Sequence, residues 1–287
     1  MEKSNLKIES LQLQPSEDSF LYRYITIEKL LDFLFNHRIP LIRLNVFEDK
    51  LEGAAMDHLL LNLGSNKLTE ELAPWAGKLL KGVLFNVNTS KRNSLRRQRE
   101  IFQQTNYAHC WHANNHESIA MWQIYSNPNS VAVRIPYKVF KTELLNYNFE
   151  LSSYNHKILK FGSVHYHRFN DFDDLSNAIT KNDIRGFLKE YSFQHEQEFR
   201  IMLEINEVAS KEAVRKNMIL DEQIEKMNNL KDLKILYFKL TNFEILPFEI
   251  ISHPKSQEWH QNNIKALLSK FDLPFKLKDS SIREIFS

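Results

Sequence analysis

The segment FQHEQEFRIML, residues 193–203, sets two carboxylates and a guanidinium at alternate positions. Read as a strand, successive side chains fall on opposite faces, so Glu196, Glu198, Arg200 and Met202 share one face. Gln197, Phe199, Ile201 and Leu203 share the other, which is apolar enough to be core. The two acids stand roughly 6–7 Å apart by strand rise. Such a pair suits acid–base work on a substrate, one carboxylate opposing a developing positive charge while the other moves a proton. Arg200, in the same row, would keep Glu198 ionised by charge pairing. The row then reads as the polar wall of a cleft. The plainer alternative is a solvated strand face with a cross-strand ion pair.

Other chemistry-bearing residues form rival groups. His109, His112 and His116 surround Cys110, and His165 and His167 share a strand face, with Glu117 nearby in sequence. Imidazoles at such spacings can hold zinc, which keeps a metal-dependent hydrolase or nuclease open. No H-E-x-x-H or comparably tight zinc signature is present. Cys110 sits on an apolar strand and reads as core before nucleophile. The segment KRNSLRRQRE, residues 91–100, gathers Lys91, Arg92, Arg96, Arg97 and Arg99. Arg92, Arg96 and Arg97 are candidates for contacting the phosphates of a nucleic-acid acceptor, against the alternative of a solvated helix face.

Composition limits the choices. The 287 residues carry 38 basic and 36 acidic side chains, a formal net charge of +2, so any basic site must be local. Hydrophobic residues make up 43%, enough for a substantial core. With one cysteine there is no internal disulfide and no cysteine-rich zinc site. No G-x-G-x-x-G occurs, and Gly77 and Gly82, at phosphate-loop spacing, are followed by Val83 and Leu84 where Lys and Ser or Thr are required. No leader layout and no membrane-spanning apolar run is evident, so a cytoplasmic protein is expected.

The elements that must position these residues follow from periodicity. Residues 22–25 and 40–44 read as strands flanking a helix over 26–38, with Thr26 at its N-cap and Leu30, Leu31, Phe33, Leu34 and Phe35 on its apolar side. Residues 45–54 are loop-like; 55–104 look helical. Strands are expected at 107–112, 130–135, 157–167, 198–205, 233–240 and 243–252, and helices at 116–126 and 256–271. The absence of a regular βαβ rhythm favours α+β: one domain over 1–287 with a mostly helical insertion at about 55–104.

Several pieces in fixed order resemble the bacterial domain-of-unknown-function family 2971. They are Tyr22-Arg23-Tyr24; Phe47-Glu48-Asp49-Lys50-Leu51-Glu52; Cys110-Trp111-His112; Met121-Trp122 with Tyr125; Val164 and Tyr166; Glu196, Glu198 and Arg200; and Pro254. Glu48, Lys50 and His112 depart from the family's Asn, Pro and Ser. A looser resemblance joins an early arginine on a strand to a late E-x-E strand, and is similar to the ADP-ribosyltransferase superfamily.

That second resemblance implies a split, bent β-sheet core and transfer of ADP-ribose from NAD. It makes Glu198 the catalytic carboxylate beside the ribose, with Glu196 orienting or deprotonating the acceptor. Arg23, framed by Tyr22, is expected to hold the pyrophosphate through bidentate contacts. The flat nicotinamide ring suits an aromatic face at Trp122 or Tyr125, with His112 and Arg200 lining the same cleft. It further implies a toxin or anti-phage effector acting on a nucleic acid, RNA favoured, or a protein, with a restraining antitoxin or chaperone as a further partner. A non-catalytic module that binds a nucleotide or a partner protein stays open beside it.

Overall fold

The computed structural model describes residues 6–49, 52–53, 89–146, 157–169, 171, 185–205 and 233–285. Ten described strands form one mixed sheet: Leu6–Ser10 (β1), Phe20–Ile25 (β2), Arg38–Arg43 (β3), Asn106–Asn114 (β4), Val131–Pro136 (β5), Lys157–Ser163 (β6), Glu198–Ile205 (β9), Ile235–Lys239 (β10), Glu249–Ser252 (β11) and Leu277–Lys278 (β12). His165–His167 (β7) and Leu188–Glu190 (β8) form a separate parallel pair. The long path runs β1-β6-β9-β4-β2-β5-β11-β12, and β3 joins β4 to β10 off this path. The architecture is α+β.

β4 organises the sheet. One edge pairs with β9 from Asn106↔Glu204 to His112↔Glu198. The other edge is divided between two strands: Tyr107 and Ala108 pair with Arg43 and Ile42 of β3, and His112 to Asn114 pair with Tyr22 to Phe20 of β2. Side chains bridge the opening between β2 and β3. Arg23 donates to the Cys110 carbonyl. His109 Nδ1 lies 2.7 Å from the Pro40 carbonyl, which can only accept, so Nδ1 carries the proton.

The described helices are Ile27–Asn36 (α1), Thr89–Thr105 (α2), Ile119–Tyr125 (α3), Tyr137–Leu145 (α4) and Glu258–Lys270 (α5). Leu30, Phe33 and Leu34 of α1, Phe140 and Leu144 of α4, and Ile264 and Leu268 of α5 bury against Leu21, Trp111, Phe199, Ile201 and Leu203 on one sheet face. This burial of apolar surface is the main stabilising contribution. On the opposite face α3 packs Met121 and Trp122 against Tyr22, Tyr24, Ala132 and Ile251. None of the described helices is long and apolar enough to cross a membrane.

Several expectations change. Thr26 occupies the N-cap of α1 but makes no side-chain capping bond. Phe35 is 44% exposed and meets Phe271 edge-on at 4.8 Å, because the buried stripe of α1 is narrower than its apolar content. Residues 243–252 are not one strand: a tight turn at Phe243–Ile245 precedes β11. Residues 157–167 divide at Val164 into β6 and β7, which belong to different sheets. Of the helical insertion expected at 55–104, residues 54–88 lie outside the described residues, and α2 covers the remainder.

Candidate functional site

Pairing register fixes which side chains share a face. Tyr22 is opposite His112, and His112 is opposite Glu198, so β2, β4 and β9 place these three in one row. The row continues outward through Arg134 of β5 and Glu249 of β11. One step along the strands, Cys110 lies opposite Arg200, and Arg200 opposite Gly162. Phe199, Ile201 and Leu203 alternate to the apolar face, as expected. The charged face is not solvated, however: Glu198 is 4% and Arg200 0% exposed.

Charges on this face converge into one buried cluster. Arg200 Nε donates to Glu198 Oε1 at 2.6 Å and Nη2 to Oε2 at 3.1 Å. The same guanidinium reaches Glu52, Nη1 to Oε2 at 2.7 Å and Nη2 to Oε1 at 2.9 Å. It also donates to the carbonyl of Gly186, a residue with φ +86° where an added Cβ would stand 2.7 Å from the Met202 sulfur. Lys189 Nζ lies 2.6 Å from Glu196 Oε2, 3.5 Å from Glu198 Oε2 and 3.7 Å from Glu52 Oε1. Three carboxylates (Glu52, Glu196, Glu198) thus face two cations (Lys189, Arg200), a formal charge of −1.

Electrostatics follow from this geometry. Burial pushes the Glu198 carboxyl up, but Arg200 and Lys189 outweigh burial and hold it at about 2. Burial alone would lower the Lys189 ammonium; Glu198, Glu196 and Glu52 reverse that and raise it. Burial, reinforced by Glu198, drives the Cys110 thiol well above its ordinary range, so it is no ready nucleophile. Cys110 also stands on the charged face with Arg200 rather than in the apolar core.

Glu196 is positioned differently from the strand reading. It ends a tight turn, Tyr191–Glu196, and β9 begins only at Glu198. Between them Gln197 takes the left-handed conformation, φ 41°. The turn still delivers the Glu196 carboxylate to the cluster, where Tyr125 donates to its Oε1 at 2.6 Å. His112 Nδ1 donates to the Glu196 carbonyl at 2.6 Å, which leaves His112 Nε2 an acceptor, 3.5 Å from Asn114 Nδ2. Burial holds this imidazole below its ordinary range. Beside the row lies a hollow of about 300 Å³ lined by Glu198, Gln197, Tyr166, Asn114, Asn115 and Ser163, among others. The Glu198 backbone is fixed at its edge: its amide donates to Tyr166 Oη and its carbonyl accepts from the Val164 amide, each at 2.8 Å.

The structure therefore brings Glu198, Glu196, Tyr22, His112, Tyr125 and Arg200 to one face. Arg23 does not join them. It lies between Tyr22 and Tyr24, and strand alternation turns it through the opening between β2 and β3 to the other side of the sheet. Arg200 is spent on Glu198, Glu52 and Gly186, so it braces the cluster and offers no donor to a dinucleotide. Trp122 is 1% exposed, donates to Glu117 at 3.0 Å and meets Tyr24 edge-on, which removes it as a stacking platform. Tyr125, three residues on, remains 46% exposed.

The histidines separate as well. His109 faces the opening toward Pro40, His112 faces Glu196, His116 is exposed, and His165 and His167 stack on β7. Among the described residues no group of three or more His, Cys, Asp or Glu converges as a metal site. In α2, Arg96 is exposed and Arg97 half-buried, while the Arg92 side chain lies outside the described residues.

Lys189 was not anticipated, and nothing in the pattern around it marks it out. Glu52 was readable as a brace of its loop, but its partner 148 residues away was not. No family model, curated protein or solved structure matches the chain. The resemblance to known families rests on the quoted residues alone.

Proposed function

We propose that the protein breaks the bond between ribose C1′ and nicotinamide in NAD and transfers the ADP-ribosyl group to an acceptor. The carrying observation is that Glu198, ionised in spite of its burial, lines a polar hollow of a size suited to part of a nucleotide. A carboxylate there opposes the positive charge that grows on the ribose as nicotinamide leaves as a neutral base. Glu196, the second acid, takes the acceptor's proton as the new bond to C1′ forms. Tyr22, His112 and Tyr125 flank the pair, and the reading no longer uses Arg23, Arg200 or Trp122 as cofactor contacts. A nucleic acid, RNA first, or a protein is the acceptor class, with the arginines of α2 as candidate phosphate contacts. A toxin or anti-phage role, restrained by a partner protein, is the setting this chemistry suits.

A second reading has its own observation: Arg200 takes both Glu198 oxygens, as it would in a purely binding module. Labelled NAD incubated with the protein and cell lysate separates the two. Label entering RNA, DNA or protein, with nicotinamide release lost in a folded Glu198→Gln variant, supports transfer. No release across those acceptors rejects it. NAD binding without turnover leaves the binding module.

A further inference from the structure

The opening between β2 and β3 forms a cavity of about 320 Å³ on the sheet face opposite the carboxylate cluster. Its walls are largely apolar, with Ile25, Phe33, Ile39 and Val133 among them. Three polar groups with unspent capacity line it. Arg23 makes a side-chain hydrogen bond to one carbonyl, that of Cys110, and has no carboxylate partner among the described residues. A half-buried guanidinium without a counter-ion is costly unless something anionic meets it. The Trp111 indole N–H is buried without an acceptor. His109 Nε2 is buried without a donor, and because Nδ1 carries the ring proton, Nε2 can only accept. Buried polar atoms left unmatched in this way call for an explanation, and here all three groups line one hollow. The charged residues lining it sum to +1: Arg23, Lys29 and Arg38 against Glu28 and Asp32. Arg38 and Asp32 pair with each other at the rim, which leaves Arg23 as the inward charge.

We propose that this cavity is a binding site for a small organic monoacid with an apolar body, its carboxylate received by Arg23 and the Trp111 N–H. His109 Nε2 accepts from a hydroxyl or N–H where the ligand carries one. The volume admits a single substituted ring and is at the low end for ligand sites. The site lies across the sheet from Glu198 and does not depend on the transfer chemistry proposed above.

Calorimetric titration of the full chain with benzoate, 4-hydroxybenzoate and indole-3-acetate tests this, with benzyl alcohol as the neutral control. At least one acid should bind about tenfold more tightly than benzyl alcohol, the worth of one charge-assisted contact. Arg23→Gln should erase that difference. Ile235→Trp, a bulkier side chain at a lining position that is 40% exposed, should block binding while leaving Arg23 in place. The second variant keeps the test decisive if the first fails to fold. No binding by any of the three acids, or binding indifferent to both variants, overturns the proposal. Displacement of a bound acid by NAD overturns it too, since Arg23 would then serve the dinucleotide.

Discussion

Glu52 and Arg200 are joined by two parallel hydrogen bonds, 2.7 and 2.9 Å long, across 148 residues of sequence, and both are almost completely buried. This fork pins the turn that follows β3 against the centre of the sheet. The same turn is held by Gln103 of α2, whose amide donates to the Glu52 carbonyl at 2.8 Å. Removing one member of a buried pair leaves the other charge uncompensated. Glu52→Gln should therefore cost about 3–5 kcal/mol in urea denaturation. Glu52→Leu combined with Arg200→Met should recover part of that loss. An additive double variant would show that the pairing carries no coupling energy.

The Glu198 carboxyl predicts a specific acid limb. Its folded value, about 2, lies below the ordinary 4.5, so its contribution to stability is complete above the ordinary value and is lost as pH falls from about 4.5 toward about 2. For this nearly fully buried group the loss is on the order of 3 kcal/mol. Urea stability measured at pH 6 and pH 3 should fall more for the native protein than for Glu198→Gln. Equal falls would mean that other carboxylates carry the acid limb.

Gln197 makes a backbone prediction. A left-handed conformation costs a residue with a Cβ about 1–2 kcal/mol, most for a β-branched one. Gln197→Gly should be neutral or stabilising by up to ~1 kcal/mol. Gln197→Val should lower the melting temperature and loosen the Glu196 carboxylate from Lys189. A Val variant as stable as the native protein would contradict the strain.

Glu117 is the clamp of the C-terminal segment. Its carboxylate accepts from Trp122 Nε1 at 3.0 Å, Ser280 Oγ at 2.7 Å, and the Ser281 amide and Oγ at 2.7 and 2.8 Å. Glu117→Ala should destabilise by roughly 2–4 kcal/mol, because several donors lose one acceptor together. Amide exchange at Ser281 should quicken well beyond the global change. Unchanged exchange there would refute the clamp.

The sequence spoke clearly where one rule governs. Alternation along residues 198–203 separated Glu198, Arg200 and Met202 from Phe199, Ile201 and Leu203, and the structure keeps that division. The same rule separates Arg23 from Tyr22 and Tyr24; Leu21 and Ile25 around it already mark an apolar face, and that signal was readable. Glu196 was misplaced onto the strand because one left-handed residue, Gln197, delays the start of β9, and a glutamine does not advertise that conformation. Lys189 and Glu52 reach the cluster through long-range chain reversal, which local periodicity does not encode. A salt bridge across 148 residues leaves no trace in spacing.

The way Val164 and Tyr166 grip the main chain of Glu198 has a mechanical meaning. A carboxylate whose own peptide is tied on both sides cannot swing out to meet a ligand, so the ligand must come to it. Any signal that reaches the hollow through the β7–β8 pair would arrive as a tug on the peptide backbone. Mutations at Val164 or Tyr166 should consequently change how well Glu198 is aimed without altering the charges around it.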